Sequence, residues 1–278
     1  MTSKGHVLCY AHGAGPLPLL GDPNQQPLAK ILSESSHFLD NAKGVIILTA
    51  HWETEEPHIS AAAQPELYFD YSEAGILSIP REAMEYKYPA RGDPDGAVRI
   101  FDRLKKAGFH PKLDFERGWD HGVFVPLKLI RPQADIPVIQ MSILQGDSRE
   151  ASRRNIELGS ALEPLRDEGY CIMGSGSSFH HIQQVLHSMA SGDNRDVGTP
   201  AARFDAQVSA ALAIEDPDTR RATLENWRDF DESFNAHPVN EAEHFMPYLI
   251  AAGAGGNQPA RQLDKWNLFG VPMSSYVW

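Results

Sequence analysis

The chain has 278 residues, of which 25 are Lys or Arg and 37 are Asp or Glu, a formal net charge of −12 with histidine neutral. That balance argues against nucleic acid as a partner, because a phosphate backbone is held by clustered cationic side chains. With 42% hydrophobic and 22% charged residues, the chain is neither disordered nor fibrous and can build a sizeable core.

In chain order, short aliphatic or β-branched runs alternate with longer stretches of helical periodicity. This predicts an α/β fold, a central, mostly parallel or mixed sheet flanked by helices. The opening MTSKGHVLCY has too short an apolar run for a signal peptide, and Val45 to Leu48 is far too short to span a bilayer. Cys9 and Cys171 stand far apart in apolar contexts with no C-x-x-C pair. A reducing, cytoplasmic compartment without disulfides or membrane contact is expected.

The expected strands are His6 to Tyr10, Val45 to Thr49, Ile136 to Ile143 and Tyr170 to Met173. Helices are expected over Pro27 to Leu39, Asp95 to Ala107, Ser148 to Leu165, His181 to Met189, Pro200 to Ala213 and His244 to Ala252. In the second of these, Val98, Phe101, Leu104 and Lys105 form a one-sided stripe closed by Gly108. Glu53 to Pro94 lacks periodicity and reads as loops and short extended pieces covering a site, and Ser191 to Thr199 reads as a turn or flexible segment. With no repeat and no linker, residues 1–278 are expected to form a single catalytic domain.

The 12 histidines carry the functional signal. Three expected strands run into histidine: VLCYAHGAG with His12, VIILTAHW with His51, and YCIMGSGSSFHH with His180 and His181. Ligands of open α/β sheets bind beyond the carboxyl ends of strands, so separate segments can deliver imidazoles to one spot. Glycines in HGAGP and GSGSS permit a sharp exit and close approach to the backbone. Neither run ends as a P-loop or has dinucleotide spacing. In ERGWDHGVFVPL, Asp120 is a candidate cap for a helix holding His121; in HPVNEAEHFMPYLIAAGA, His244 or Glu243 is a candidate metal ligand. His6, His37, His58, His110, His187 and His237 read as surface, packing or supporting residues. Imidazoles and carboxylates from separate loops suit a mid-to-late first-row divalent metal with open positions, compatible with zinc hydrolysis or iron–oxygen chemistry. H-E-x-x-H and G-x-S-x-G are both absent, which weakens a zinc protease and a serine nucleophile at Ser175, Ser177 or Ser178.

The ordered segments HGAGP, TAHW, YPARGDP, DHGVFVPL, IPVIQMSI, GSGSSFHH, HPVNEAEHFMPYLIAAGA and SSYVW resemble the LigB-like class III extradiol ring-cleaving dioxygenases, within them the DOPA-dioxygenase branch. The resemblance implies Fe(II), with Zn(II) able to occupy the same site, held by His12, His51 and His244. Glu241 or Glu243 are alternatives for the third ligand. It implies His180 as acid-base residue, with His181 as the alternative register, and His121 lining the pocket. The implied reaction opens a small catecholic substrate with O2 to a muconic-semialdehyde type product. Two other readings stay open: a zinc-dependent hydrolase on the same ligands, and a non-enzymatic Memo-like binding protein. Arg91, Arg117 and Lys128 are candidates for a substrate carboxylate, and Tyr68 to Tyr88 and Tyr276-Val277-Trp278 for closing over a ring. The oligomeric state and the particular catechol are left open.

Overall fold

In the computed structural model, which describes residues 4–72, 79–181, 183–185 and 195–278, eight strands join in one sheet. They are β1 (Val7–Ala11), β2 (Gly44–Thr54), β3 (His58–Ser60), β4 (Lys112–Asp114), β5 (Val138–Leu144), β6 (Tyr170–Gly176), β7 (Arg261–Leu268) and β8 (Val271–Val277). Their order is β4-β3-β5-β2-β6-β1-β8-β7. The central pairs β5–β2, β2–β6 and β6–β1 are parallel, while β8 joins β1, and β7 joins β8, antiparallel. Every residue of β1, β5, β6 and β8 is buried, the pattern of strands covered on both faces. The sheet is therefore mixed and flanked by helices, as expected.

The helices that matter for the site are α1 (Leu17–Leu20), α2 (Gln26–Glu34), α3 (Pro94–Lys106), α4 (His121–Ile130) and α5 (Arg149–Leu162), followed by the helices Arg195–Leu212 and Met246–Ala254. The last has all nine residues buried and packs on α5 and β6. Burying a helix that is apolar all round fixes what precedes it, and what precedes it is His244.

Several expectations are corrected. β2 continues past Thr49 to Thr54 through a register shift opposite β5, so His51 lies within the strand. β3 is one of the short extended pieces expected over 53–94, and it pairs β5 and β4. The α3 face that packs inward is Ala97, Ile100 and Leu104; Val98 is 47% exposed, because the i, i+3, i+7 row faces the sheet. The last helix starts at Met246, leaving His244 in the preceding turn. Residues 195–199 are helical instead of a turn, whereas 191–194 and most of the expected helix His181 to Met189 lie outside the described residues. The hairpin β7–β8 was missed: RQLDKWNL is too polar, and VPMSSYV too rich in Pro and Ser, to read as strands. Its Tyr276, Val277 and Trp278 are buried, with Tyr276 and Val277 paired to β1, and do not close over a ligand.

No helix among the described residues is long and apolar enough to cross a membrane.

Candidate metal centre

β2, β6 and β1 are adjacent and parallel, so their carboxyl ends open on the same edge of the sheet. His12 follows β1, His51 sits in the last part of β2, and His180 follows β6 by a short turn. His121 opens α4, and His244 arrives from the turn before Met246–Ala254. These five histidines line one cavity of about 450 Å³. His12, His51 and His244 each offer a ring nitrogen, and the three nitrogens lie within 4.8 Å of one another.

Two glycines make this convergence possible. A side chain on Gly176 at the end of β6 would collide with the His244 carbonyl, which instead accepts a hydrogen bond from Ser177 N at 2.9 Å. A Cβ on Gly122 would press on Thr49 Oγ1 at 2.5 Å and stand 3.3 Å from His12 Nδ1. The glycine after Asp120-His121 thus lets α4 reach the ends of β2 and β1.

Asp120 holds that junction, though not as the expected cap: its side chain makes no capping hydrogen bond. It is fully buried and accepts from Thr49 Oγ1 at 2.8 Å, Gln140 Nε2 at 2.6 Å and Arg117 Nη2 at 3.2 Å. Arg117 also donates to the His51 carbonyl at 2.9 Å. Burial, and then the nearby Asp70 carboxylate, push the Asp120 pKa up against these donors.

The hydrogen-bond partners determine where the imidazole protons sit. Ser175 Oγ gives its one proton to the Gly122 carbonyl, so towards His12 Nδ1, 3.0 Å away, it can only accept. His12 therefore carries its proton on Nδ1 and a lone pair on Nε2. His244 Nδ1 is 2.8 Å from Glu243 Oε1, a carboxylate that likewise accepts, while His51 Nδ1 lies 3.5 Å from Asp70 Oδ2 without a hydrogen bond. His12 Nε2 and His51 Nε2 face each other at 3.1 Å, close enough for His51 to donate to His12 when it is protonated on Nε2. When both rings carry their protons on Nδ1, the two lone pairs point at one position that a cation can fill. Two nitrogens each about 2.0–2.1 Å from one ion stand about 3 Å apart, so the spacing fits a first-row divalent metal. Burial first, and then the crowd of neighbouring imidazoles, depress the pKa values of His12 and His244 far below the ordinary histidine value, keeping them neutral as ligands must be. His51 is depressed in the same direction, again chiefly by burial.

His180 stacks on His244 with ring centroids 3.3 Å apart, and its Nδ1 lies 3.4 Å from the same Glu243 Oε1. Burial raises the Glu243 pKa, but His180, the Glu243 backbone and His237 together outweigh it and the net shift is downward. Glu243 thus stands behind His244 and His180, while Glu241 is exposed. His181 turns away: its Nδ1 contacts the Asn235 carbonyl at 3.0 Å. His121 Nδ1 is 2.8 Å from Asp70 Oδ1, and its backbone N–H donates to the same oxygen at 3.1 Å.

Of the candidate cations, Arg117 lines the cavity; Lys128 donates to the Lys87 carbonyl and Arg91 lies elsewhere. Tyr68 and Tyr71 face the cavity from the expected covering region, and Trp266 and Phe269 from the hairpin close another side. Sequence reasoning missed Asp70, Ser175 as a proton acceptor, and Gln25, whose buried Oε1 has no partner among the described residues although the residue lines the cavity. None lies in a spacing that signals such a role. His237, set aside as supporting, is fully buried and contacts the Ser178 carbonyl through Nε2 at 3.0 Å, tying down the turn that carries His180.

Residues 9–278 match the family described as the catalytic LigB subunit of aromatic ring-opening dioxygenase. The chain is 36% identical to the dioxygenase tasH of Hapsidospora irregularis over 98% of its own length and 85% of that protein. It is 33% identical to the 4,5-DOPA dioxygenase extradiol of Beta vulgaris, over 92% of the chain and 90% of the relative. The enzyme of the same name from Escherichia coli K12 is 30% identical over 79% of the chain and 75% of its own length. The crystal structure of an uncharacterized protein from Escherichia coli K12 superposes with a TM-score of 0.72 over 98% of the chain and 99% of that structure, at 23% identity, a likeness of fold. The chain belongs to the LigB family and is a ring-cleaving dioxygenase of the extradiol kind.

Proposed function

We propose that the chain, acting as one catalytic unit, is an Fe(II)-dependent extradiol dioxygenase that opens the ring of a small catechol with O2. The observation that carries this reading is the approach of His12 Nε2 and His51 Nε2 to 3.1 Å, with a His244 nitrogen beside them. These three residues would hold the metal. Bound Fe(II) supplies the redox chemistry with O2 and a template for the diol, leaving open positions beside three protein ligands. A cavity of about 450 Å³ accommodates a single substituted ring.

The protein groups supply proton handling and orientation. His180, on the same side as His244, accepts a phenolic proton at Nε2, since Glu243 faces its Nδ1. His121, its ring 4.1 Å from that of His51, meets the substrate or O2 from α4. Tyr71 and Phe269 present apolar surface to the ring. Relatives named as DOPA dioxygenases support a catechol as the substrate class. Two buried, unpaired cysteines and a need for ferrous iron support a reducing cytoplasmic setting.

The test is anaerobic Fe(II) loading followed by exposure to O2 and a panel of catechols. Stoichiometric O2 uptake with a coloured ring-opened product supports the reading. Turnover that continues without O2 and prefers Zn(II) overturns it in favour of a hydrolase.

A further inference from the structure

We infer that Gln25, with Asp22 beside it, is the specificity-determining wall of the cavity. Together they are hydrogen-bond acceptors that select catechols whose ring substituent ends in a donor, an ammonium above all, over those ending in a carboxylate. The inference rests on the reading of the site above and adds which substituent that site takes. Gln25 is the residue before α2 and is 2% exposed. Its Oε1 is enclosed with no hydrogen-bond partner among the described residues, although the residue lines the cavity. The carboxamide lies against the turn that follows His12: a Cβ on Gly13 would stand 2.8 Å from Gln25 Oε1 and 2.6 Å from Pro18 Cγ. Gly13 has φ +84°, a conformation open to glycine, and its missing side chain leaves the space that the carboxamide fills. Because Gly13 follows His12, this wall adjoins the candidate ligands. The terminal torsion of glutamine is soft, so the oxygen can swing to a donor presented from the cavity. A buried acceptor without a donor gains a hydrogen bond when a ligand brings one.

Outside the histidines, the other buried polar side chains of the wall already have partners. Ser177 Oγ donates to the Phe179 carbonyl, Tyr71 OH to the Ala83 carbonyl, and Trp266 Nε1 to the Asn24 carbonyl. Arg117 is the one Lys or Arg among the described lining residues. Its charge is met by Asp120 Oδ2 at 3.2 Å, it donates to the His51 carbonyl, and its guanidinium stands over the Trp52 ring. Asp22 lines the cavity from the same turn as Gln25, its Oδ1 accepting from Asn24 N at 2.9 Å. Gln25 N donates to the Asp22 carbonyl at 3.0 Å, and Trp266 ties the turn to β7, so both side chains ride on one fixed segment. A carboxylate only accepts, and an amide oxygen only accepts. A substrate carboxylate would therefore face two acceptors and a negative charge at this wall, whereas an ammonium would find partners for its donors.

The experiment compares wild type, Gln25→Leu, Gln25→Glu and Asp22→Asn on dopamine, 3,4-dihydroxyphenylacetate and 4-methylcatechol, which differ in the ring substituent. The readouts are ratios of kcat/KM and, separately, ratios of anaerobic dissociation constants by calorimetry, near pH 7, where the amine is cationic and the acid anionic. Wild type should favour dopamine over 3,4-dihydroxyphenylacetate by about 10-fold or more, the size of one hydrogen bond to a charged group. Gln25→Leu should lower the dopamine to 4-methylcatechol ratio by a similar factor. Gln25→Glu keeps an acceptor and adds charge, and should hold or raise that ratio. Asp22→Asn, at a half-buried position, should lower it about two- to fivefold, as for a partly exposed charge pair. If Gln25→Leu does not fold, the other two variants decide. A wild-type preference for the acid, a ratio unchanged in Gln25→Leu or in Asp22→Asn, or a fall in Gln25→Glu as large as in Gln25→Leu would each overturn the inference. If wild type turns over none of the three with O2, the catechol dioxygenase reading itself fails, and the binding ratios then decide the inference by themselves.

Discussion

Replacing Ser175 by Ala tests the tautomer argument on which the metal centre rests. Ser175 is 2% exposed, and its hydroxyl serves His12 Nδ1–H and the Gly122 carbonyl together. Both groups are buried. An unpartnered buried polar group costs about 1–3 kcal/mol, so leaving both stranded would cost about 2–6 kcal/mol. The metal-free protein has an escape that halves this: His12 moves its proton to Nε2 and donates to His51 Nε2, 3.1 Å away. The Gly122 carbonyl and a bare His12 Nδ1 are then left as unpartnered acceptors, but the new N–H···N hydrogen bond offsets about one of the two, and the apoprotein should lose about 1–3 kcal/mol. At about 2–4 °C per kcal/mol for a domain of this size, the melting temperature falls by a few degrees. Metal binding must undo the escape, because a protonated Nε2 cannot be a ligand. Affinity should therefore fall by about 10–100-fold, as for other groups that orient a ligand from behind. Thermal melts of chelator-treated protein and competitive metal titrations measure the two effects separately. A stability loss with metal affinity unchanged within twofold would refute the tautomer argument and leave Ser175 as packing alone.

Three further outcomes are expected. His12→Ala and His51→Ala should each abolish metal occupancy by elemental analysis, and retention of metal would place the site elsewhere. His180→Ala should keep the metal while kcat falls about 10²–10⁴-fold, the range for a lost acid-base group, whereas His181→Ala should remain active; the reverse pattern would transfer the role to His181. His237 has its pKa pushed down to about 3, first by burial and then by His180. Between that value and about 6.5 the unfolded chain takes a proton that the folded chain refuses, so stability is full above about 6.5 and is lost by up to about 1.4 kcal/mol per unit as pH falls. His237→Gln should flatten the pH dependence of metal-free unfolding by that slope, and an unchanged slope would show that His237 is not the group responsible.

Residues whose signal is local were legible in the chain itself. Continuous apolar runs marked the central strands because those strands are covered on both faces, and the histidine that follows three of these runs is found by reading along one segment. The glycines of GSGSS and D-H-G were visible as sites of close approach, though not what approaches them. His244 and Glu243, adjacent in sequence, were left as alternatives for one ligand. The folded chain gives both a place, His244 beside His12 and His51, and Glu243 behind it on Nδ1. Asp70 sits in a stretch without periodicity, yet it meets His121 from 51 residues away, and Ser175 meets His12 from 163. No pattern of neighbours encodes such pairs. The hairpin β7–β8 is held by pairing with β1 at the far end of the chain, and Ser and Pro in β8 offset its apolar residues in any local reading. Local composition determined the strands and the imidazoles they carry. Which nitrogen of each imidazole bears the proton, and so which faces the metal, depends on partners brought close only by tertiary folding.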